Sequence, residues 1–414
     1  MRVQIPSIYK IRQNALASNS IHLYMDMLWY GVLTGSTMSF LSIYAARIGA
    51  SAFQIGMING AQAVVNLIVA LPAGHYLSKR SVNRTAFLSA VLQRIFYGFL
   101  ILVPMMFSNP QQMIAILVIT FIMWIPGTAQ AISFNALFAD SVPVANRGHV
   151  AGIRNAVLSI TTIVSTLICG QLLTYVVFPL NYQIVFGIGF FGAAMSTMHI
   201  WFIKPAFKEE HTHEQIQFDE DKKVSALHSL MRFDVLQGKY GKIIFLLFFF
   251  HFVQYLGIAI FPIYQVNIIH ISDFVISVGT SIFYIVMFLV SIRLEFITRK
   301  FGYRKALAFG MGVLGFFPAF LAMSTGPALY YIANIFGGMG WGFVGGTIYN
   351  YLLESAPRGG RAGFLSWYNL VFNAGILLGS FGGPLIGQLT DLHIALWIVS
   401  VGRIAAGIAL FCFG

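Results

Sequence analysis

Two ionisable side chains lie inside long apolar stretches of the sequence, where they are suited to moving protons. Asp26 lies near the start of the first such stretch, and His251 lies well inside the seventh. A carboxylate in hydrocarbon costs roughly 2.5–3.5 kcal/mol on insertion scales, and histidine titrates near neutral pH, so both are candidates for proton coupling. Each also has a structural interpretation: Asp26 as a headgroup-level carboxylate that caps a helix start, and His251 as a buried, hydrogen-bonded side chain.

Two arginines occupy similar apolar surroundings. Arg94 lies inside the third stretch and Arg403 inside the twelfth. Arg94 has two interpretations, attraction of an anionic substrate or pairing inside the protein, and we expect an internal partner. Arg403 is long enough to snorkel toward the membrane surface.

The composition indicates the elements that must position these residues. Of the 414 residues, 58% are hydrophobic and 9% are charged, and the mean hydropathy is +0.78. Soluble domains carry about 25% charged residues, so the composition excludes a soluble globule, a disordered chain and a nucleic-acid-binding protein despite the net charge of +12. Because a bilayer requires about 20 apolar residues per helix, the sequence predicts an all-α membrane protein with twelve transmembrane helices. The predicted spans are 22–46, 53–77, 84–107, 111–138, 150–176, 180–203, 243–267, 273–297, 305–325, 328–353, 362–389 and 392–414.

Lysines and arginines are concentrated in alternate connecting segments. If the N-terminus is placed inside and the span ends are taken as approximate by several residues, 22 of the 25, including Arg154, lie in inside segments, and Arg47 alone lies in an outside loop. Because such basic segments mark the cytoplasmic side of membrane proteins, we expect an integral plasma-membrane protein with both termini in the cytoplasm.

The twelve spans divide into two related halves. We predict an N-terminal six-helix bundle at 1–203, a polar cytoplasmic linker at 204–241 and a C-terminal six-helix bundle at 242–414. Asp140, Pro143 and Arg147 recur as Glu354, Pro357 and Arg361, each 214 residues later, and Tyr44 recurs as Tyr264 after 220 residues. Six spans per copy place both copies in the same orientation, which indicates a parallel repeat.

The loops after spans two and eight strengthen the relationship between the halves. The first contains Gly74 with Arg80 and Arg84, and the second contains Gly302 with Arg304 and Lys305. Together with the twelve spans, the central linker and the repeat, these loops resemble those of the major facilitator superfamily of secondary transporters. The match is incomplete, because Ser78 and Arg299 stand where the family pattern has an acidic residue. The resemblance implies two pseudo-symmetric six-helix bundles and alternating access.

The resemblance also implies that spans one, four, seven and ten line a central cavity. Aromatic side chains with a few amides suit neutral or weakly amphipathic organic ligands. The substrate candidates on these spans are Tyr30, Thr34, Thr37, Trp124, Gln130, Asn135, His251, Gln254, Tyr255, Asn334, Trp341, Tyr349 and Asn350.

A cytoplasmic gate is a further expectation from the resemblance. Asp140 and Glu354 end two cavity helices, and basic residues lie in short loops at the same level, so ion pairs there would hold one state and break in the other. The alternative is that these are ordinary interfacial charges that follow the orientation rule. The gate candidates are Gly74, Arg80, Arg84, Asp140, Arg147, Gly302, Arg304, Lys305, Glu354 and Arg361.

These features predict a monomeric transporter in the lipid bilayer that moves a small organic solute, with proton-coupled export of drug-like or amphipathic compounds as the first hypothesis. A sugar or metabolite permease is the second. A membrane receptor, an assembly factor or a membrane enzyme on the same fold are alternatives from other classes.

No nucleophile–base or metal-ligand spacing is present, so we expect no enzymatic activity, no metal and no cofactor. Two glycine-rich motifs at 187–192 and 310–315 match a dinucleotide-binding pattern, but both lie inside apolar spans.

Overall fold

Long helices account for the regular structure of the described residues. The computed structural model describes residues 8–78, 80–207, 236, 238–356 and 361–414. Within these residues, ten helices are both long and apolar enough to cross a membrane, and the two further long helices, spans one and ten, carry more polar and glycine residues. The prediction of an all-α membrane protein is confirmed. In chain order the spans are Ile8–Leu33 with Thr34–Met38 and Ser39–Arg47; Ala52–Ser78; Val82–Met106; Asn109–Ser141; Val144–Tyr175; Leu180–Phe202; Lys239–Leu256 with Ile260–Ile263 and Tyr264–Ile268; Asp273–Phe301; Tyr303–Leu314 with Phe316–Ala322; Pro327–Ser355; Arg361–Leu389; and Leu392–Phe413.

Three of the spans are irregular. Span one contains a π-helical turn at Thr34–Met38, and span seven leaves the α-helical path after Leu256 and ends in a second π-helical turn at Tyr264–Ile268. Span nine is interrupted between Leu314 and Phe316. Deviations of this kind release backbone carbonyls from the regular helical hydrogen bonds, and in a bilayer those carbonyls require other donors.

The chain forms two compact units. The first contains spans one to six together with Ile271–Tyr284, and the second contains span seven, the rest of span eight and spans nine to twelve. Each unit has its own apolar core. In the first unit the core includes Leu23, Ala86, Ala90, Leu137 and Ile200. In the second unit it includes Leu247, Leu307, Met311, Leu352 and Leu410.

Glycines allow close helix contacts inside the second unit. Gly375, Gly379 and Gly383 form a stripe along span eleven that packs on span seven. A Cβ atom added at Gly379 would lie 2.6 Å from the Phe252 carbonyl oxygen, and one added at Gly383 would overlap the Leu256 carbonyl oxygen. The stripe therefore brings the two backbones together, as small residues do between membrane helices.

Gly383→Ala is expected to lower the thermal unfolding temperature of the detergent-solubilised protein. The added methyl group would displace backbone atoms of span seven, and overpacking of this kind costs about 1–3 kcal/mol. Gly345→Ala is the matched control, because nothing lies within 4 Å of its added Cβ. Equal unfolding temperatures for the two variants would contradict the close packing of spans seven and eleven.

Candidate functional site

A buried carboxylate lies between two guanidinium groups in the first unit. Asp26 of span one is 1% exposed. The Ser196 hydroxyl of span six donates to its Oδ1 at 2.5 Å. Arg94 Nη2 of span three lies 3.9 Å from Oδ1, and Arg154 Nη2 of span five lies 3.8 Å from Oδ2. Four spans thus contribute to one charged cluster, which we call the Asp26 cluster.

Arg94 has internal partners. Its Nη1 donates to the Thr197 hydroxyl at 2.7 Å and to the Ala193 carbonyl oxygen at 3.3 Å, both on span six. The Tyr30 ring centre lies 6.0 Å from the guanidinium carbon. These contacts place Tyr30, a substrate candidate, at the edge of the Asp26 cluster.

Arg154 belongs to the Asp26 cluster, although sequence analysis counted it among the basic residues of an inside segment. Its guanidinium carbon lies 4.8 Å from the Phe134 ring centre and 5.1 Å from the Phe138 ring centre, both on span four. Its Nε is buried and has no hydrogen-bond partner among the described residues. The signal that could have identified Arg154 is its position inside the predicted fifth span.

A histidine pair lies one turn from Asp26, and sequence analysis did not identify it. Nδ1 of His22 on span one and Nδ1 of His199 on span six are 3.1 Å apart, and the His22 ring stacks on Phe202 at 5.1 Å. One proton can be shared between two nitrogens at this distance, so one ring donates and the other accepts. Within the described residues, no group of three or more His, Cys, Asp or Glu side chains could hold a metal ion.

Aromatic side chains form a second cluster, in the second unit. His251 Nε2 lies 3.1 Å from the Tyr368 hydroxyl, and its ring meets Phe372 at 4.7 Å. Tyr255 also contacts Phe372, at 6.2 Å between ring centres, and Tyr349 contacts Tyr368 at 6.0 Å. Sequence analysis named His251, Tyr255 and Tyr349 but not the two aromatic residues of span eleven, because it considered only spans one, four, seven and ten.

Two polar atoms of this aromatic cluster have no hydrogen-bond partner in the described part of the chain. His251 Nδ1 and Gln254 Oε1 are buried without a hydrogen bond to any described residue. Tyr349 is 60% exposed, whereas His251 and Tyr368 are each 3% exposed. The cluster thus combines apolar ring surface with unused polar groups, as sites for organic ligands do.

Arg403 donates to the carbonyls released where two helices are interrupted. Its Nη1 donates to the Leu314 carbonyl oxygen at 3.1 Å, and its Nη2 donates to the Gln254 carbonyl oxygen at 2.8 Å. The regular donor for Leu314 would be the nitrogen of Pro318, which has no hydrogen. The regular donor for Gln254 is the Ile258 N–H, which instead bonds to the Tyr255 carbonyl oxygen. Arg403 is 2% exposed, so it does not snorkel.

The other substrate candidates differ in their surroundings. Thr37 is fully buried against Gly189 of span six. Thr34 and Asn334 bond to carbonyls of their own helices, at Tyr30 and Tyr330 respectively. The half-buried candidates are Trp124, Gln130 and Trp341, and the exposed ones are Asn135 and Asn350.

In the first unit, two of the gate candidates, Arg147 and Asp140, make hydrogen bonds at the end of span four. Arg147 donates from Nε to the Val142 carbonyl oxygen at 3.1 Å and from Nη2 to the Ala139 carbonyl oxygen at 2.8 Å, which satisfies the end of span four. The Asp140 carbonyl accepts from the Phe207 N–H at 2.8 Å. Gly74 lies within the helix of span two, and Arg80 and Arg84 are exposed.

The second unit holds the remaining gate candidates. Gly302 has φ +80° and links spans eight and nine, a conformation that favours glycine. Arg304 Nη1 donates to the Gly414 carbonyl oxygen at 2.6 Å. Lys305 and Glu354 are exposed. The side chain of Arg361 lies outside the described residues.

An ion pair at the start of span eight was also missed by sequence analysis. Arg47 Nη2 lies 3.0 Å from Asp273 Oδ1 and donates to the Ile271 carbonyl oxygen at 2.7 Å. The two side chains are 27% and 13% exposed. The pair ties the end of span one to the start of span eight within the first unit.

Three solved structures that resemble this chain are membrane transporters. The nucleoside transporter NupG is 15% identical, with a TM-score of 0.67 over 97% of this chain and 99% of that chain. The inward-open xylose transporter XylE from E. coli is 14% identical, with a TM-score of 0.67 over 98% and 96%. A POT family transporter in complex with a thioalcohol-conjugated peptide is 13% identical, with a TM-score of 0.66 over 97% and 96%. No curated protein sequence matches.

The chain therefore shares the fold of these membrane transporters. Residues 27–380 match the Major Facilitator Superfamily. The chain belongs to this superfamily, which confirms the resemblance seen in the sequence.

Asp26→Asn is expected to lower the stability of the protein by about 3–5 kcal/mol, because it leaves two buried guanidinium groups without their carboxylate. Ser196→Ala removes one hydrogen bond and should cost only about 1–3 kcal/mol. Adding Arg154→Gln to Asp26→Asn should recover part of the loss. Thermal unfolding of the four proteins in one detergent measures the difference, and a wild-type unfolding temperature for Asp26→Asn would contradict the pairing.

Proposed function

We propose that the protein is a secondary active transporter that exports small amphipathic organic compounds by alternating access and is driven by protons. The observation that carries the proposal is the buried Asp26 carboxylate, held among guanidinium and imidazole groups inside a bundle of the major facilitator superfamily. An intramembrane carboxylate with defined partners is a feature of proton relays in transporters.

The aromatic cluster supports an amphipathic solute. His251, Tyr255, Tyr349, Tyr368 and Phe372 supply ring surface. Gln254 Oε1 supplies an acceptor and His251 Nδ1 a ring nitrogen, and neither has a hydrogen-bond partner among the residues that the structure describes. Such a surface binds a flat or partly apolar molecule and orients it through one or two hydrogen bonds.

The charge distribution supports one orientation. With both termini in the cytoplasm, 22 of 25 lysines and arginines lie on the cytoplasmic side, as the positive-inside rule requires. We place the protein in the plasma membrane as a monomer, with the small-molecule solute and protons as its other partners.

A permease for sugars or related polar metabolites is the second candidate. The observation that favours it is the fold similarity to a xylose transporter and a nucleoside transporter. Exchange of labelled solutes in proteoliposomes separates the two, because an exporter of amphipathic compounds will not exchange pentoses or nucleosides. Absence of flux for both panels would favour a receptor or an assembly factor.

Proton coupling is tested with the purified protein in proteoliposomes under an imposed pH gradient. Asp26→Asn and His251→Ala are each expected to abolish gradient-driven accumulation of the solute, while equilibrative exchange persists in variants that remain folded. Gly345→Ala, which alters an open position, is the control and should accumulate solute as the wild type does. Full accumulation by both variants would refute coupling through these residues.

The gate hypothesis predicts a shift between inward-facing and outward-facing states. Asp140→Asn and Glu354→Gln each remove one negative charge from the cytoplasmic ends of spans four and ten. We expect both to increase the inward-open population in distance distributions between spin labels on the two halves. Distributions identical to the wild type would show that these residues are ordinary interfacial charges.

A further inference from the structure

We infer that the Asp26 cluster binds an anionic group of the transported solute, a carboxylate or a phosphate, and that Arg154 is the residue that contacts it. The inference rests on the proposed function, because it assigns a chemical class to the solute of that transporter. It goes beyond the sequence analysis, which counted Arg154 only among the basic residues that orient the chain in the membrane.

The first argument is the charge balance of the cluster. Among the described residues, Asp26 is the only carboxylate within 4.0 Å of the Arg94 or Arg154 guanidinium. The other groups that face it are hydroxyls, aromatic rings and imidazoles, none of which is a resident anion at neutral pH. The facing groups are Tyr30, Tyr97, Phe134, Phe138, Ser196, Thr197, His199 and, beside His199, His22. Two cations therefore share one anion.

The second argument is the unused hydrogen-bonding capacity of Arg154. Its Nη2 is 3.8 Å from Asp26 Oδ2, which is too long for a charge-assisted hydrogen bond of about 2.7–2.9 Å. Its Nε is buried and meets no acceptor from the described segments of the chain. Arg94 differs, because it donates to Thr197 and Ala193. Arg154 is thus the member of the pair whose donors remain available.

The third argument is the position of the Arg154 guanidinium. Phe134 and Phe138 hold it at 4.8 and 5.1 Å from their ring centres. Contact with aromatic faces leaves the N–H edge of a guanidinium free, and that edge matches the two oxygens of a carboxylate or phosphate. The Arg154 side chain is 11% exposed and the Asp26 side chain is 2% exposed, so Arg154 is the more accessible of the two to an entering anion.

These observations indicate which chemical group of the solute the cluster would recognise. An anionic group would complete the charge balance by pairing with Arg154, and a neutral isostere would leave the second guanidinium unpaired. The preference for the anion follows from the cost of a buried charge without a partner. The aromatic rings of span four would contact the part of the solute next to its anionic group.

The test uses the intact protein in detergent, with benzoate and phenyl phosphate as anionic probes and benzamide as the neutral counterpart of benzoate. At constant ionic strength, we expect the anions to raise the unfolding temperature at concentrations at least tenfold below those that benzamide requires. We call the ratio of the benzamide to the benzoate concentration that gives the same rise in unfolding temperature the anion preference. In Arg154→Gln this preference should fall below twofold. Arg154→Lys keeps the charge but loses the planar fork, so it should retain an intermediate preference.

Arg293→Gln is the matched control, since Arg293 is an exposed arginine of span eight, and it should keep the full preference. Equal effects of benzoate and benzamide on the wild type, or an unchanged preference in Arg154→Gln, would overturn the inference. Proteoliposome flux separates this result from the fate of the proposed function. Flux of neutral compounds without any anion preference would keep the transporter and remove the anion site, whereas anion binding through Arg154 without flux of any solute would keep the site and remove transport.

Discussion

A polar group inside a bilayer must find its partner within the protein, and this constraint explains the main features of the structure. Helices satisfy their own backbone, so the described chain is built from them. Where a helix departs from regular geometry, a side chain compensates. Arg403 supplies hydrogen bonds to the carbonyls of Leu314 and Gln254 that proline and a shifted helical bond leave without donors. The same constraint explains why the Asp26 carboxylate is surrounded by a hydroxyl and two guanidinium groups.

Equivalent helix pairs in the two halves pack closely, but the glycines lie on different helices of the pair. In the first unit, Gly31 and Gly35 of span one approach span five, where an added Cβ at Gly35 would lie 2.5 Å from the Thr162 carbonyl oxygen. In the second unit, the glycines belong to span eleven and approach span seven. By the repeat, span eleven corresponds to span five and span seven to span one, so the close contact is retained while the small residues have changed sides. A duplicated bundle needs only one small residue at each crossing, on either helix.

Much of the fold could be predicted from the sequence, because helices that cross a membrane require long apolar segments that are easily recognised. Long apolar runs and the distribution of lysine and arginine determine the spans, and the pairing of Asp140 with Glu354 and of Arg147 with Arg361 shows the duplication. Contacts between side chains on different spans, in contrast, produce no recognisable pattern in the sequence. Asp26 and Arg154 lie on spans one and five, with three spans between them along the chain, and no sequence spacing links the two residues. Arg154 was taken for an orienting charge because its type and position fit that rule equally well.

The residues of the candidate sites could also be predicted only in part. His251, Gln254 and Tyr255 could be selected because polar residues are rare in an apolar span. Tyr368 and Phe372 could not, because tyrosine and phenylalanine are ordinary residues of membrane helices and span eleven was not expected to line the cavity. Their contribution depends on the glycine stripe of span eleven, which brings its aromatic residues against span seven.

The π-helical turn of span one and the break in span seven after Leu256 occur at equivalent positions of the sequence repeat. Shifted by the 220 residues that relate Tyr44 to Tyr264, the π-helical turn Thr34–Met38 falls on the stretch where span seven leaves its α-helical path after Leu256. Sharp bends in helices occur at π-helical turns and where the regular backbone hydrogen bonds are interrupted. The leading helix of each half therefore has a natural bending point partway along its length, and Asp26 and His251 both lie on the segment before it.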